Sequence, residues 1–174
     1  MSDRQPITTM DELLDANEAA WVALETFLEG HTEQDLTTAH DAAGWTCKDH
    51  LARLVAWERG VLHVLRDGWS QWQGMGISEE CFATRKTEGL DGINEELRRL
   101  NAERPLGDVL IELQAVHEAM QATIRDLGDE GLRRPVGDFR HDDTDLPVIE
   151  WIPGDACDHF DAHRGYIAII LGDA

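Results

Sequence analysis

The residues best placed for chemistry lie near the C-terminus, in the run Asp155-x3-His159-x3-His163. Residues four apart share a face of a helix, so His159 and His163 can turn their imidazoles toward one metal ion or one ligand. Asp155 extends the same stripe. It lies two turns from His163, about 12 Å at about 1.5 Å per residue, too far to share an ion with both rings. Its expected role is to hydrogen-bond His159 and orient it.

Two histidines make an incomplete ligand set, so a third group must come from another helix. The segment Thr46-Cys47-Lys48-Asp49-His50-Leu51-Ala52-Arg53-Leu54 offers two. His50 would complete a three-histidine site of the kind that holds zinc or nickel with a position open for water or substrate. Arg53 at the same place would repel a cation and attract an anion. The plainer alternatives are that His50 is a partly exposed first-turn residue and that Arg53 pairs with Asp49 or Glu58 on the surface. His117 falls on an apolar stripe between Leu113 and Met120 and reads as a core histidine. Trp21, Trp45, Trp57 and Trp151 read as core, with some free to wall a pocket. The three cysteines, Cys47, Cys81 and Cys157, have neither disulfide nor zinc-knuckle spacing. There is no phosphate-binding glycine loop, no G-x-S-x-G and no H-E-x-x-H.

The elements that must position these residues are helices. Thr9 and Glu12 form a capping box that opens a helix with apolar positions Leu13, Leu14, Trp21, Leu24, Phe27 and Leu28, and Gly30 stops it. Thr46 and Asp49 open a second, striped by Leu51, Leu54, Val55, Leu62 and Leu65 and ending near Gly68. Residues 69–89 read as a long crossover with a short helix around Glu79–Thr84. A helical stretch Ile93–Ala102 meets Pro105, and Leu106 to Leu127 marks a long third helix. The last helix ends at Leu171. Pro153 sits either in its first turn or at a kink of a helix begun near Pro147. Thr32–Gly44 and Gly128–Asp145 read as loops. The economical architecture is one all-α domain over 1–174: four main helices with a long crossover between the second and third.

The charge limits the partners. Fifteen Lys and Arg against 35 Asp and Glu give a net charge of −20. Nucleic-acid binding draws most of its affinity from phosphate neutralisation by basic side chains, and no basic run is present, so no nucleic acid is expected. No apolar run reaches the roughly 20 residues that span a bilayer, and Met1–Pro6 holds no apolar signal core. The expectation is a cytoplasmic protein with no membrane partner.

Gly44-Trp45-Thr46 followed by Asp49 to Leu54 and Trp57-Glu58 resembles the second-helix signature of the DinB/YfiT-like superfamily. Asn94-Glu95-Glu96, Asn101 to Leu110, Asp126-Leu127 through Leu132-Arg133-Arg134-Pro135, and the Asp155-x3-His159-x3-His163 ending are similar to the ClbS/DfsB group of four-helix bundles. The resemblance spans nearly the whole chain. It implies an up-down-down-up bundle, often a homodimer, with a small-molecule cavity between the helices. It also implies a divalent metal, zinc or nickel, held by one histidine of the second helix and two of the last. His159 and His163 match the last pair. The second-helix position, eight residues after Trp45, is Arg53, and His50 stands one turn earlier as its substitute.

Three function classes follow. One is a divalent-metal-dependent enzyme acting on a small molecule by thiol transfer or hydrolysis, with His50, His159 and His163 as ligands and Asp155 behind them. The second is a metal-free enzyme or detoxifying resistance protein, whose cavity holds an electrophilic or anionic small molecule against Arg53 with a histidine as acid or base. The third is a metal-free small-molecule binding or stress-response bundle without chemistry, in which the histidines are vestigial.

Overall fold

The structure, a computed structural model, describes residues 6–173. The polar N-terminal stretch lies, Pro6 apart, outside them. Among the described residues eleven helices follow in order: α1 Met10–Glu29, α2 Glu33–Thr38, α3 Cys47–Asp67, α4 Gln71–Met75, α5 Glu79–Ala83, α6 Arg85–Glu88, α7 Asp91–Asn101, α8 Leu106–Leu132, α9 Gly137–Arg140, α10 Val148–Asp155 and α11 Cys157–Leu171. Among the described residues there is no strand, only two isolated bridges, His40 with Thr46 and Pro135 with Pro147.

The long helices begin and end where local chemistry directs. Thr9 accepts from Glu12 N–H while Glu12 reaches back, and Thr46 and Asp49 repeat that box at α3. At the end of α3, Gly68 takes a left-handed conformation at φ 67° and its N–H reaches the His63 carbonyl. The loop expectations change: Gly128–Asp145 is not all loop, since α8 runs on to Leu132 and α9 spans Gly137–Arg140. Residues 32–44 are not all loop, because Thr32 and Asp35 form a third capping box that opens α2. For the last helix the alternative of a start near Pro147 holds, with a full break in place of a kink: α10 stops at Asp155, Ala156 adopts φ −128° and ψ −105°, and α11 restarts at Cys157. The break follows Pro153-Gly154, two weak helix formers.

Four helices close the bundle. α3 packs along α8 and α11, and α1 packs along α8 and α11, so α1 and α3 lie diagonally opposite. The core between them includes Leu13, Leu24, Leu51, Leu54, Leu113, Met120, Ile124 and Phe160, all essentially removed from water. Each such side chain contributes about 1.5–3 kcal/mol by leaving water. The crossover builds a smaller core of its own, in which Met75, Ile77, Phe82, Ile93 and Leu97 pack on Ala56 and Trp57 of α3. Trp57 Nε1 donates to Asn94 Oδ1 at 3.3 Å. That contact brings α7 against α3 and fixes one wall of the site described next.

Candidate functional site

α3 and α11 bring His50, Arg53, His159 and His163 together. His163 is the hub. Its ring centroid lies 5.0 Å from that of His50 and 4.5 Å from that of His159. His50 Nδ1 and His163 Nδ1 stand 3.0 Å apart, so one ring donates a proton to the other. Tyr166, three residues beyond His163 on the same face of α11, closes the group at 5.5 Å from His163 and 5.8 Å from His50. Trp45 meets His50 from the loop before α3 at 5.5 Å.

The electrostatics favour neutral rings around one cation. Burial drives His163 far below the usual histidine range, and His159, Arg53 and His50 add to the push. Burial, Arg53 and His50 likewise depress His159 to about 3, with the Asp155 main-chain carbonyl opposing. His50 is lowered by burial and then by Arg53, with Asp41 and Asp49 opposing. The Arg53 charge therefore acts on all three imidazoles. Burial lowers its own pKa, while Tyr166 and Asp91 oppose. Arg53 does not pair with Asp49, whose Oδ2 accepts from the Thr46 N–H and hydroxyl, nor with Glu58, which is fully buried.

Four polar atoms of this group are buried without a hydrogen-bond partner in the structure: Arg53 Nε, His50 Nε2, His159 Nδ1 and His163 Nε2. Beside them opens a cavity of about 570 Å³, within the range of small-molecule sites, lined by His50, Arg53, Trp45, Asn94, Tyr166 and Ile169 among others. It combines apolar and aromatic walls with a guanidinium and an imidazole at one end. His159 and His163 lie behind His50 and are not part of the lining.

Asp155 does not continue the helix stripe of His159 and His163, because the chain breaks at Ala156. Its main-chain carbonyl acts on the His159 ring. Burial raises the carboxyl to about 7, with Arg140 opposing. Cys47 offers no thiolate, since burial pushes it to about 11.

The donor set has features for and against a divalent metal. The three imidazoles are neutral and close, which suits an ion. However, a guanidinium shares their space, no carboxylate joins them, and His50 and His163 spend one nitrogen each on one another. Among the described residues no group of three or more His, Cys, Asp or Glu is placed to hold a metal ion. The residues as they stand do not fit a cation.

Sequence reasoning passed over Tyr166, Asn94 and Asp91. Tyr166 is the single tyrosine of the chain and stands three residues after His163, a signal that helical spacing could have raised. Asn94 and Asp91 reach the site only because the crossover folds back on α3, and no local pattern announces that.

A family model described as the DinB superfamily matches residues 16–167. Among solved structures, an uncharacterised protein from Escherichia coli UTI89 is similar at a TM-score of 0.73 and 18% identity, over 96% of this chain and 95% of that one. A structure described as colibactin self-resistance protein ClbS in complex with a dsDNA is similar at a TM-score of 0.73 and 16% identity, over 95% of this chain and 97% of that one. At such identities the likeness is one of fold. No curated protein matches the chain.

Proposed function

The chain belongs to the DinB superfamily, and from that premise we propose that it is a metal-free member whose cavity binds a small molecule through an anionic or strongly polarised oxygen group. The observation that carries this reading is the Arg53 guanidinium, set among three neutral imidazoles at the wall of the cavity with Nε unpartnered. A charge-assisted hydrogen bond there is worth about 1.5–3 kcal/mol. Trp45 and Tyr166 supply flat walls for the body of the ligand. The hydrogen-bonded His50–His163 pair provides a neutral base beside the bound group, able to accept a proton from it at Nε2 of His50. This suits a detoxifying or sequestering role toward a reactive, oxygen-rich small molecule.

The rival reading is the one that the superfamily implies, a divalent metal on His50, His159 and His163. The two part in one experiment. Thermal unfolding is followed with a panel of aromatic carboxylates, with their uncharged amides, and with zinc and nickel. The expected result is stabilisation by at least one carboxylate, none by its amide, and loss of the effect in Arg53→Met. Equal effects of acid and amide, or an undiminished effect in Arg53→Met, would overturn the anion reading. Stoichiometric zinc or nickel bound by the wild type and lost in His159→Ala/His163→Ala would replace it with the metal reading.

A further inference from the structure

A second polar group lies inside the bundle, apart from the site above. Glu58 follows Arg53 on α3 by five residues, about 140° round the helix at about 3.6 residues per turn, so it faces elsewhere. It is 0% exposed, and neither carboxyl oxygen has a hydrogen-bond partner. His117 of α8 stands beside it, with Nδ1 3.9 Å from Glu58 Oε1 and also unpartnered. The other ring nitrogen, His117 Nε2, meets Glu18 Oε2 of α1 at 3.3 Å, and Glu18 is half-exposed.

The hydrogen bonds assign the tautomer. Gln121 Nε2 donates to the same Glu18 Oε2 at 3.0 Å, so that oxygen is an acceptor and His117 Nε2 must carry the hydrogen. His117 Nδ1 is then a bare acceptor aimed toward Glu58. A carboxyl in that position is satisfied only as an acid, with its O–H directed at the ring. Burial agrees, holding Glu58 well above the usual carboxylate range. Burial also keeps the His117 ring neutral, with Glu18 and Glu118 opposing.

We infer that Glu58, His117 and Glu18 form a proton relay from the centre of the bundle to its surface, an acid–base site distinct from the histidine–arginine site. In the outward step, the Glu58 O–H bond breaks as an N–H bond forms at His117 Nδ1. The His117 Nε2–H bond breaks as an O–H bond forms on Glu18, which passes the proton to bulk water. Glu58 is left as a carboxylate, the ring has exchanged tautomers, and the reverse sequence reloads the acid. The 3.9 Å gap exceeds a hydrogen bond by about 1 Å, a shift that a side-chain rotation supplies. The surroundings keep the path single-file. Trp21 stacks on the ring at 4.6 Å from α1, Phe160 meets it at 5.9 Å from α11, and Glu118 of α8 acts on it from the surface. Asn17, 0% exposed with both amide atoms unpartnered, stands one turn before Trp21 on α1.

Infrared spectroscopy tests this on the full chain. With Asp155→Asn as background, so that its carboxyl does not interfere, a protonated-carboxyl band at about neutral pH should be present and should vanish in Glu58→Gln. Its exchange in heavy water should slow about tenfold or more in His117→Phe and in Glu18→Gln, while peptide N–H exchange stays unchanged. Glutamine at 18 keeps an acceptor for the ring but no place for a proton, so this variant decides the matter even if His117→Phe fails to fold. A missing Glu58 band, or exchange equally fast in Glu18→Gln, would overturn the relay.

Discussion

Arg53 lies in the wall of the cavity with His50. One side chain sets a permanent cation among three imidazoles that burial has already made neutral. Replacing it with histidine removes that repulsion and restores the superfamily pattern at the position eight residues after Trp45. Arg53→His should therefore gain about one equivalent of zinc, measured by elemental mass spectrometry, where the wild type takes up little. No gain would mean that His159 and His163 cannot converge with position 53 on one ion. Asp155 carries a separate test. Its folded pKa of about 7 lies above the ordinary 3.8, so the folded state holds the proton more tightly and loses stability as pH rises through that interval. Asp155→Asn removes this term. Its unfolding free energy relative to wild type, measured by chemical denaturation, should climb between about pH 4 and 7 and then level off, by roughly 2 kcal/mol after allowing for solvent screening. His159 works in the opposite sense: depressed to about 3, it adds stability above about pH 6.5 that fades on acidification, in both proteins alike. A pH-independent difference would mean that the Asp155 carboxyl is not buried.

The elements position these residues through backbone contacts as well as apolar stripes. α3 and α4 touch almost main chain to main chain. A Cβ added to Gly74 would stand 2.9 Å from Gly60 Cα and 3.0 Å from the Arg59 carbonyl, neither of which can move aside as a side chain would. Arg59 then ties the pair by donating to the carbonyls of Gly74 and Met75 while pairing with Glu112 of α8. Gly74→Val should cost about 1–3 kcal/mol in chemical denaturation, the range of overpacking a tight contact. Because the crossover carries α7, and with it Asn94 and Asp91, toward the cavity, the same variant should also weaken ligand binding. An unchanged unfolding midpoint would show that α4 is not docked on α3.

At the scale of the whole molecule, net charge limits the partners. The fold is shared with a protein crystallised with dsDNA, yet this chain carries a net charge of −20. Phosphate contacts dominate such affinities, and a surface of this sign offers few of them. Duplex DNA should therefore not be retarded by the protein in a mobility-shift assay at about 0.15 M salt. Retardation that weakens steeply with added salt would instead reveal a local basic face. None of the described helices is long and apolar enough to cross a membrane.

The sequence by itself determined the helical class and the main boundaries, because capping boxes at Thr9 and Thr46, the stop at Gly68 and the apolar stripes are local and obey helical periodicity. It also named His50, Arg53, His159 and His163, since spacing alone puts the last pair on one face. It did not reveal the break at Ala156, where weak helix formers leave the outcome to packing, nor the capping box that opens α2 within an otherwise polar stretch. Only the tertiary structure decided that Arg53 faces the histidines rather than an acidic neighbour, that α7 folds back to line the cavity, and that Glu58 and His117 meet across α3 and α8. These are contacts between residues up to more than a hundred positions apart, set by which helices become neighbours, and no local pattern of residue types encodes that choice.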